Sequence, residues 1–461
     1  MEKVVNIIND IVWSPALVIL LVGAGLYFTI RTRCVQVRRL GMMARLLFMK
    51  HDNSGTTKSI SSFQAFCLSL SGRVGTGNIA GVATAIAIGG PGAVFWMWLI
   101  AFLGASTAFT ESTLSQLYNF KHDKGLRGSP ACYIEKGLKL PRLAMIFAVF
   151  TVIGYGMLLV LVQANSMSSA FQNAFNIKPV FSGTVLAIIL GLVVIGGVKR
   201  IAGVAQIVTP FMALAYVIIS IVIICANIET VPVAFKLIFT NAFGINPLAG
   251  GILGTTIAMG VKRGLFSNEA GQGGGAIVAA SAGVDKPAKQ GLVQAFSVYI
   301  DTLLVCTATA LMIICSGTYN IIDQSTGELL YAGAPQLGNN YVGFTQAAVD
   351  SVFSGFGSGF VSIALTFFVF TTIMAYYFYA ESSLIYIFRS KNRMNTKTEK
   401  TTLKIYRFIL LALTVVGSCT SSDIAWTFGD IGVGITTWIN VIALLFLFPQ
   451  ALDALKEIDK K

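Results

Sequence analysis

Residues 69–92 read SLSGRVGTGNIAGVATAIAIGGPG. Their apolar setting suits a membrane span, yet they hold Arg73, Asn78 and a run of glycines. Gly75-Thr76-Gly77-Asn78-Ile79-Ala80 matches the G-x-G-x-x-G/A dinucleotide fingerprint. That fingerprint needs a preceding strand, a βαβ unit and an acid about twenty positions on. Here the flanks are apolar and Pro91-Gly92 follows, so nucleotide binding is excluded. Gly77-x-x-x-Gly81 is a small-xxx-small pattern, and close helix packing accounts well for Gly81. It does not account for Asn78 or Arg73, because polar and ionisable groups at membrane depth usually line a cavity. A broken helix accounts for all of them. A break leaves free N–H groups on one half and free carbonyls on the other. The first attract an anion and the second a cation. Such a pair suits a zwitterion together with a metal ion.

Composition supports the setting. Of 461 residues, 55% are hydrophobic and 11% charged, against about 25% charged in soluble domains. Stretches long enough to span fall at 14–30, 65–89, 91–117, 143–170, 181–198, 202–226, 247–282, 288–316, 357–388, 405–420 and 424–450. This predicts an all-α polytopic protein of about eleven transmembrane helices. No small-residue cleavage site follows the first stretch, so it is expected to be a retained helix. The segment Val35–Phe48 alternates apolar residues with Arg38, Arg39 and Arg45 and reads either as an interfacial amphipathic helix or as an ordinary basic loop.

The net charge of +13 is topological. If eleven spans alternate, 26 Lys and Arg fall on one side and Lys3, Lys178 and Lys236 on the other. The positive-inside rule then puts the N-terminus outside and the C-terminus in the cytoplasm. This placement argues against nucleic acid as a partner. The cysteines show no C-x-x-C spacing, which disfavours a metal or disulfide framework. His51 and His122 both fall in loops, so no histidine serves an intramembrane proton relay.

A second break stands at Ser267-Asn268-Glu269-Ala270-Gly271-Gln272-Gly273-Gly274-Gly275. Five spans start from the first break (65–226) and five from the second (247–450). Repeats with an odd number of spans invert topology, as in inverted-repeat transporters. Residues 1–64 then form an extra N-terminal helix with a basic cytoplasmic segment, and 451–461 a cytoplasmic tail.

The blocks SGRVGTGNIAGVATA, GGPGAVFWMW, ESTLSQLY, GVKRGLFSNEAGQGGGA, KQGLVQAF, DTLLVCTATA and FTTIMAYYFYAE resemble the alanine or glycine:cation symporter family. The resemblance covers about residues 25 to 450. It implies a leucine-transporter-like 5+5 inverted repeat with one extra helix, in the inner (plasma) membrane of a prokaryote. It also implies sodium-driven uptake of a small neutral amino acid, alanine or glycine, with no cofactor and sodium as the coupling ion. Members often carry Gly-Met-Gly-Ser-Ala-Pro where this chain has Gly271-Gln272-Gly273-Gly274-Gly275-Ala276, and tryptophan where it has Tyr376. Both departures are expected near the substrate, and they leave a glutamine-preferring or proton-coupled symporter as the alternative.

Thr76, Gly77 and Asn78 would meet the substrate carboxylate. Asn268, Gly271, Gln272 and Gly273 would lie near its amine, with Gln163 and Tyr376 beside them. Related folds imply that Thr371 and Thr372 hold sodium with backbone oxygens near Val74 and Gly77. Arg73, Glu111 and Glu381 lie at one depth, roughly 10 Å inside their spans by the 1.5 Å helical rise. Arg73 is therefore expected to pair with Glu381 or Glu111 as a cytoplasmic gate. Glu111, Asp301, Glu381 and Asp430 stand on different spans, and no nucleophile–histidine pair is available inside the membrane. An enzyme finds no support there. A channel is the other rival, since helix breaks can also line a pore.

Overall fold

Pro15, Pro141, Pro179 and Pro287 each sit in the first turn of an apolar helix, where a missing N–H removes no intrahelical bond. The computed structural model describes residues 2–48, 59–244, 253–323 and 326–459. Among them, eight helices are long and apolar enough to cross a membrane. They are Val4–Arg31, Ala93–Leu117, Pro141–Phe175, Gly197–Ala226, Pro287–Ser316, Gly357–Ser390, Lys397–Cys419 and Ser422–Ile458. The other three expected spans take different forms. Stretch 181–198 is the shorter helix Pro179–Val194. Stretch 65–89 is split into Ser62–Arg73 and a segment from Gly77 to Gly89. Stretch 247–282 is split into Leu253–Asn268 and Gly274–Ala279. Its first residues, 247–252, lie outside the described residues, as do Lys50, Lys58 and the tail residues Lys460 and Lys461.

Two connections hold structure that an all-α reading omits. The loop after Leu117 forms a hairpin, Phe120–His122 with Gly125–Arg127. The loop after Ser316 forms another, Asn320–Ile322 with Leu329–Ala332, followed by helix Tyr341–Asp350. Val35–Phe48 contains two short helices, Val35–Arg38 and Leu40–Leu47, with Val35, Met43, Leu46 and Leu47 buried while Arg38 and Arg45 stay exposed.

Small residues let the second break pack tightly. A Cβ on Gly104 would come 2.9 Å from Ala270 Cβ, and one on Gly264 would come 2.5 Å from Ile100 Cγ2. Helix Ala93–Leu117 thus forms a wall behind Leu253–Asn268. Wide i→i+5 turns occur at Gly77–Gly81, Gly154–Leu158 and Tyr299–Cys306, a geometry that concentrates at functional positions.

Candidate functional site

Helix Ser62–Arg73 starts at a capping box formed by Ser61 and Gln64 and stops where Val74 turns extended, at φ −77° and ψ 92°. Side chains satisfy what the break frees. Gly75 N–H donates to Asn78 Oδ1 at 2.8 Å, and Thr76 N–H donates to Gln163 Oε1 at 3.0 Å. On the carbonyl side, Thr372 Oγ1 donates to Ser71 O at 2.8 Å and to Val74 O at 3.2 Å. Thr76, Gln163 and Thr372 therefore converge on one unwound turn. A Cβ on Gly75 would lie 2.6 Å from Thr372 Oγ1 and 2.9 Å from Gln163 Oε1, so a side chain there would displace both groups from the break. Thr371 is different. Its hydroxyl turns back on its own helix, to Phe367 O and Phe368 O, both at 3.0 Å.

The second break uses left-handed backbone at Glu269 (φ 54°), Gly271 (φ 92°) and Gly273 (φ 99°). At the last two a side chain would be strained. Gly77 meets this break directly, since its Cβ would sit 3.0 Å from Ser267 Cα. Asn268 caps Ala270 N–H through Oδ1 at 3.0 Å, while its Nδ2 has no hydrogen-bond partner among the described residues. Gly271 and Gly273 are tied to other helices. Gly271 O accepts from Asn440 Nδ2 at 2.9 Å, and Gly273 N–H donates to Glu111 Oε2 at 3.1 Å. Gln272 bridges Leu265 O at 2.6 Å and Tyr155 Oη at 3.1 Å. The Tyr376 ring lies 5.2 Å from that of Tyr155 and 5.9 Å from that of Tyr379, centroid to centroid.

Asp301 is a central residue that spacing alone did not place. It is fully buried and accepts from Asn78 Nδ2 at 2.7 Å, Thr302 Oγ1 at 2.7 Å and Ser267 Oγ at 3.0 Å. It thereby locks Asn78 of the first break to Ser267 of the second. An acid inside the apolar run DTLLVCTATA was the available signal. Asn440, which ties Gly271 to Glu111, is a second such polar residue in an apolar span.

The expected gate residues do not pair with one another. Among the described residues Arg73 makes no ion pair. Its Nη1 donates to Gln294 O at 3.0 Å and to Ser297 Oγ. Glu111 supports the second break. Glu381 instead meets Lys124 Nζ at 2.8 Å, Arg127 at 3.6 Å and Arg407 at 3.8 Å. The reason is the first hairpin, which inserts Lys124 and Arg127 beside helix Gly357–Ser390 where sequence spacing showed only a basic loop. In the same hairpin His122 Nε2 lies 3.1 Å from Glu399 Oε1, and burial pushes its imidazole below the usual histidine range although Glu399 pulls the other way.

On the opposite side, a cavity of about 310 Å³ is lined by Asn165, Ser166, Asn340, Tyr341 and Trp426, with Ala80 among its walls. The Trp426 ring packs against that of Phe266, tilted by 41° with centroids 5.0 Å apart. Arg263 sits 4.6 Å over the Trp426 ring and pairs with Asp430 at 2.6 Å. These contacts clamp the half-helix Leu253–Asn268 to helix Ser422–Asp459. Trp13 adds to the clamp from the N-terminal segment, donating through Nε1 to Asp430 O at 2.9 Å.

A model of the sodium:alanine symporter family matches residues 1–461, the whole chain. The chain belongs to that family. Among its relatives, the sodium/proton-dependent alanine carrier protein of Bacillus sp. (strain PS3) is 47% identical over 91% of this chain and 92% of its own length. A Bacillus subtilis (strain 168) protein named as a probable sodium/glutamine symporter, GlnT, is 39% identical over 100% of this chain and 92% of its own. A solved structure of a Na+-coupled sialic acid symporter, substrate-bound and outward-open, shares the fold with a TM-score of 0.52 at 12% identity, covering 95% of this chain and 86% of that one. This member of the sodium:alanine symporter family is thus a multi-pass membrane protein and a cation-coupled amino-acid symporter, not an enzyme.

Proposed function

We propose that this protein couples inward sodium movement to the uptake of a small neutral amino acid, alanine or glycine, by alternating access. The observation that carries the reading is the meeting of Thr372 Oγ1 with Ser71 O and Val74 O. A hydroxyl and two freed carbonyls supply hard oxygen donors where an unwound half-helix also favours a cation. Thr372, rather than Thr371, is then the sodium ligand on its helix. The substrate carboxylate would take the Thr76 N–H from Gln163, with Gly77 and Asn78 beside it. Asn268, with its free Nδ2, Gln272 and Tyr376 would border the rest of the amino acid, and Gly271 and Gly273 would shape the break. The two breaks would head inverted repeats of five helices, 65–226 and 247–450, with the N-terminus outside. Kinship to a protein named for glutamine supports glutamine as the second substrate to test.

Uptake of labelled alanine, glycine and glutamine into proteoliposomes tests this. Uptake is expected to saturate and to fall to background when choline replaces sodium at fixed pH. Uptake unchanged by choline would remove sodium coupling.

Glu381, with Lys124, Arg127 and Arg407, would close the path on the basic-loop side. Glu381→Gln leaves Arg127 buried without its partner, a change that typically costs about 3–5 kcal/mol. The closed state on that side should weaken, and a cysteine placed below the first break should label faster from the cytoplasmic face. Unchanged labelling with normal transport would make this cluster purely structural.

A further inference from the structure

The buried carboxylates around the two breaks are unevenly served. Three side chains donate to Asp301. A backbone N–H and an amide donate to Glu111, both on Oε2, and its Oε1 has no hydrogen-bond partner among the described residues. Glu269, 1% exposed, accepts from Tyr379 Oη, at a long 3.3 Å on Oε2, with the Tyr376 phenol also within hydrogen-bonding reach of its carboxyl. Its Oε1 has no hydrogen-bond partner among the described residues.

One guanidinium, that of Arg73, faces all three carboxylates electrostatically. It pairs with none of them. Its Nε and Nη2 have no hydrogen-bond partner among the described residues, although it is 1% exposed. The acid and the base stand over adjacent glycines of the second break. A Cβ on Gly274 would lie 2.8 Å from Glu269 Oε2, and one on Gly275 would lie 2.6 Å from Arg73 Nη2. On the first break, a Cβ on Gly72 would come 3.2 Å from Glu269 Oε2. The remaining titratable neighbours of Glu269 are phenols, Tyr155, Tyr376 and Tyr379.

One positive charge among three buried carboxylates leaves two negative charges without a partner if all ionise. A buried carboxylate with neither counter-ion nor adequate donors is costly, and neutralisation by a proton removes that cost. Glu269 is the least satisfied of the three and the only one set in the backbone of a break. The free arms of Arg73 supply the alternative counter-ion.

We propose that Glu269 is a proton-carrying site of the transport cycle. Its carboxyl holds a proton on Oε1 while the breaks are closed over it, with Arg73 standing apart. When the breaks open inward the O–H bond is broken by water, and the carboxylate returns paired with Arg73. A new proton is taken from water on the outer face. One proton therefore enters with each amino acid. This inference rests on the symporter reading above.

The test uses the full chain in proteoliposomes with an entrapped pH dye. With sodium equal on both sides, alanine should acidify the lumen, and an inward proton gradient should drive alanine accumulation. Glu269→Gln should lose both while sodium-supported exchange of internal for external alanine continues. Alanine uptake by the unaltered protein with a sodium gradient but without any acidification would overturn this proposal and leave the symporter reading standing. Absence of any uptake would overturn both. If Glu269→Gln keeps acidification but needs a several-fold higher alanine concentration, Glu269 recognises the substrate ammonium and the proposal is wrong. Tyr379→Phe guards against a misfolded variant. Removing this donor should move the pH dependence of uptake to higher pH, and an unmoved profile would also overturn the assignment.

Discussion

Gly77→Val is expected to reduce amino-acid uptake to background while leaving the protein in the membrane. Valine is favourable in a span, so insertion should persist. The site is where room runs out. A Cβ alone would sit 3.0 Å from Ser267 Cα and 3.2 Å from both Ser267 Cβ and Phe266 Cδ1. Valine adds two γ-carbons held in a narrow rotamer range. Overpacking of this kind costs about 1–3 kcal/mol, and the cheaper escape is to push the two half-helices apart. That moves Thr76 and Asn78 together, and with Asn78 its bond to Asp301. Gly77→Ala should be intermediate. Uptake and the amount of inserted protein are measured together, and wild-type uptake by normal amounts of the valine variant would remove Thr76–Asn78 from the binding site.

Thr372→Ala is expected to raise the half-saturating sodium concentration more than the half-saturating substrate concentration measured at saturating sodium. One lost oxygen ligand corresponds to about 1–3 kcal/mol, by analogy with an unmade buried hydrogen bond. That is roughly a 5- to 150-fold change in affinity. Thr372→Ser keeps the oxygen and should stay close to wild type. Thr371→Ala should change little, because its hydroxyl serves its own helix. Normal sodium dependence in both alanine variants would dismiss this site.

Helix breaks were legible because glycines and polar groups are costly together inside an apolar run unless the helix is interrupted there. Both breaks fall where the sequence puts them. The reason for Gly77 was less legible. A break invites positive φ, but Gly77 is not in that region, and its role is close approach to Ser267. Charge partners were the least legible. Depth along a helix places Arg73 near Glu381, yet azimuth and loop structure decide pairing. The Phe120–Arg127 hairpin supplies cations to Glu381 that a one-dimensional count assigns to a solvated loop. Asp301 was visible as an oddity in its span. Its link to Asn78 and Ser267 depends on three helices meeting, and no local pattern encodes that.

Uptake requires more than a loaded crossing, because the emptied carrier must also come back. A break that depended on its passengers to satisfy its polar groups would stall there, since each buried unmade hydrogen bond costs about 1–3 kcal/mol. In this chain Asn78 and Gln163 cover the freed N–H groups of the first break, and Thr372 covers its carbonyls. Asn440 and Glu111 do the same at the second. If the two breaks hold the amino acid and the cation as proposed, these internal partners would stand in for both passengers in the vacant carrier, and the idle homeward stroke would not be limited by unmade hydrogen bonds.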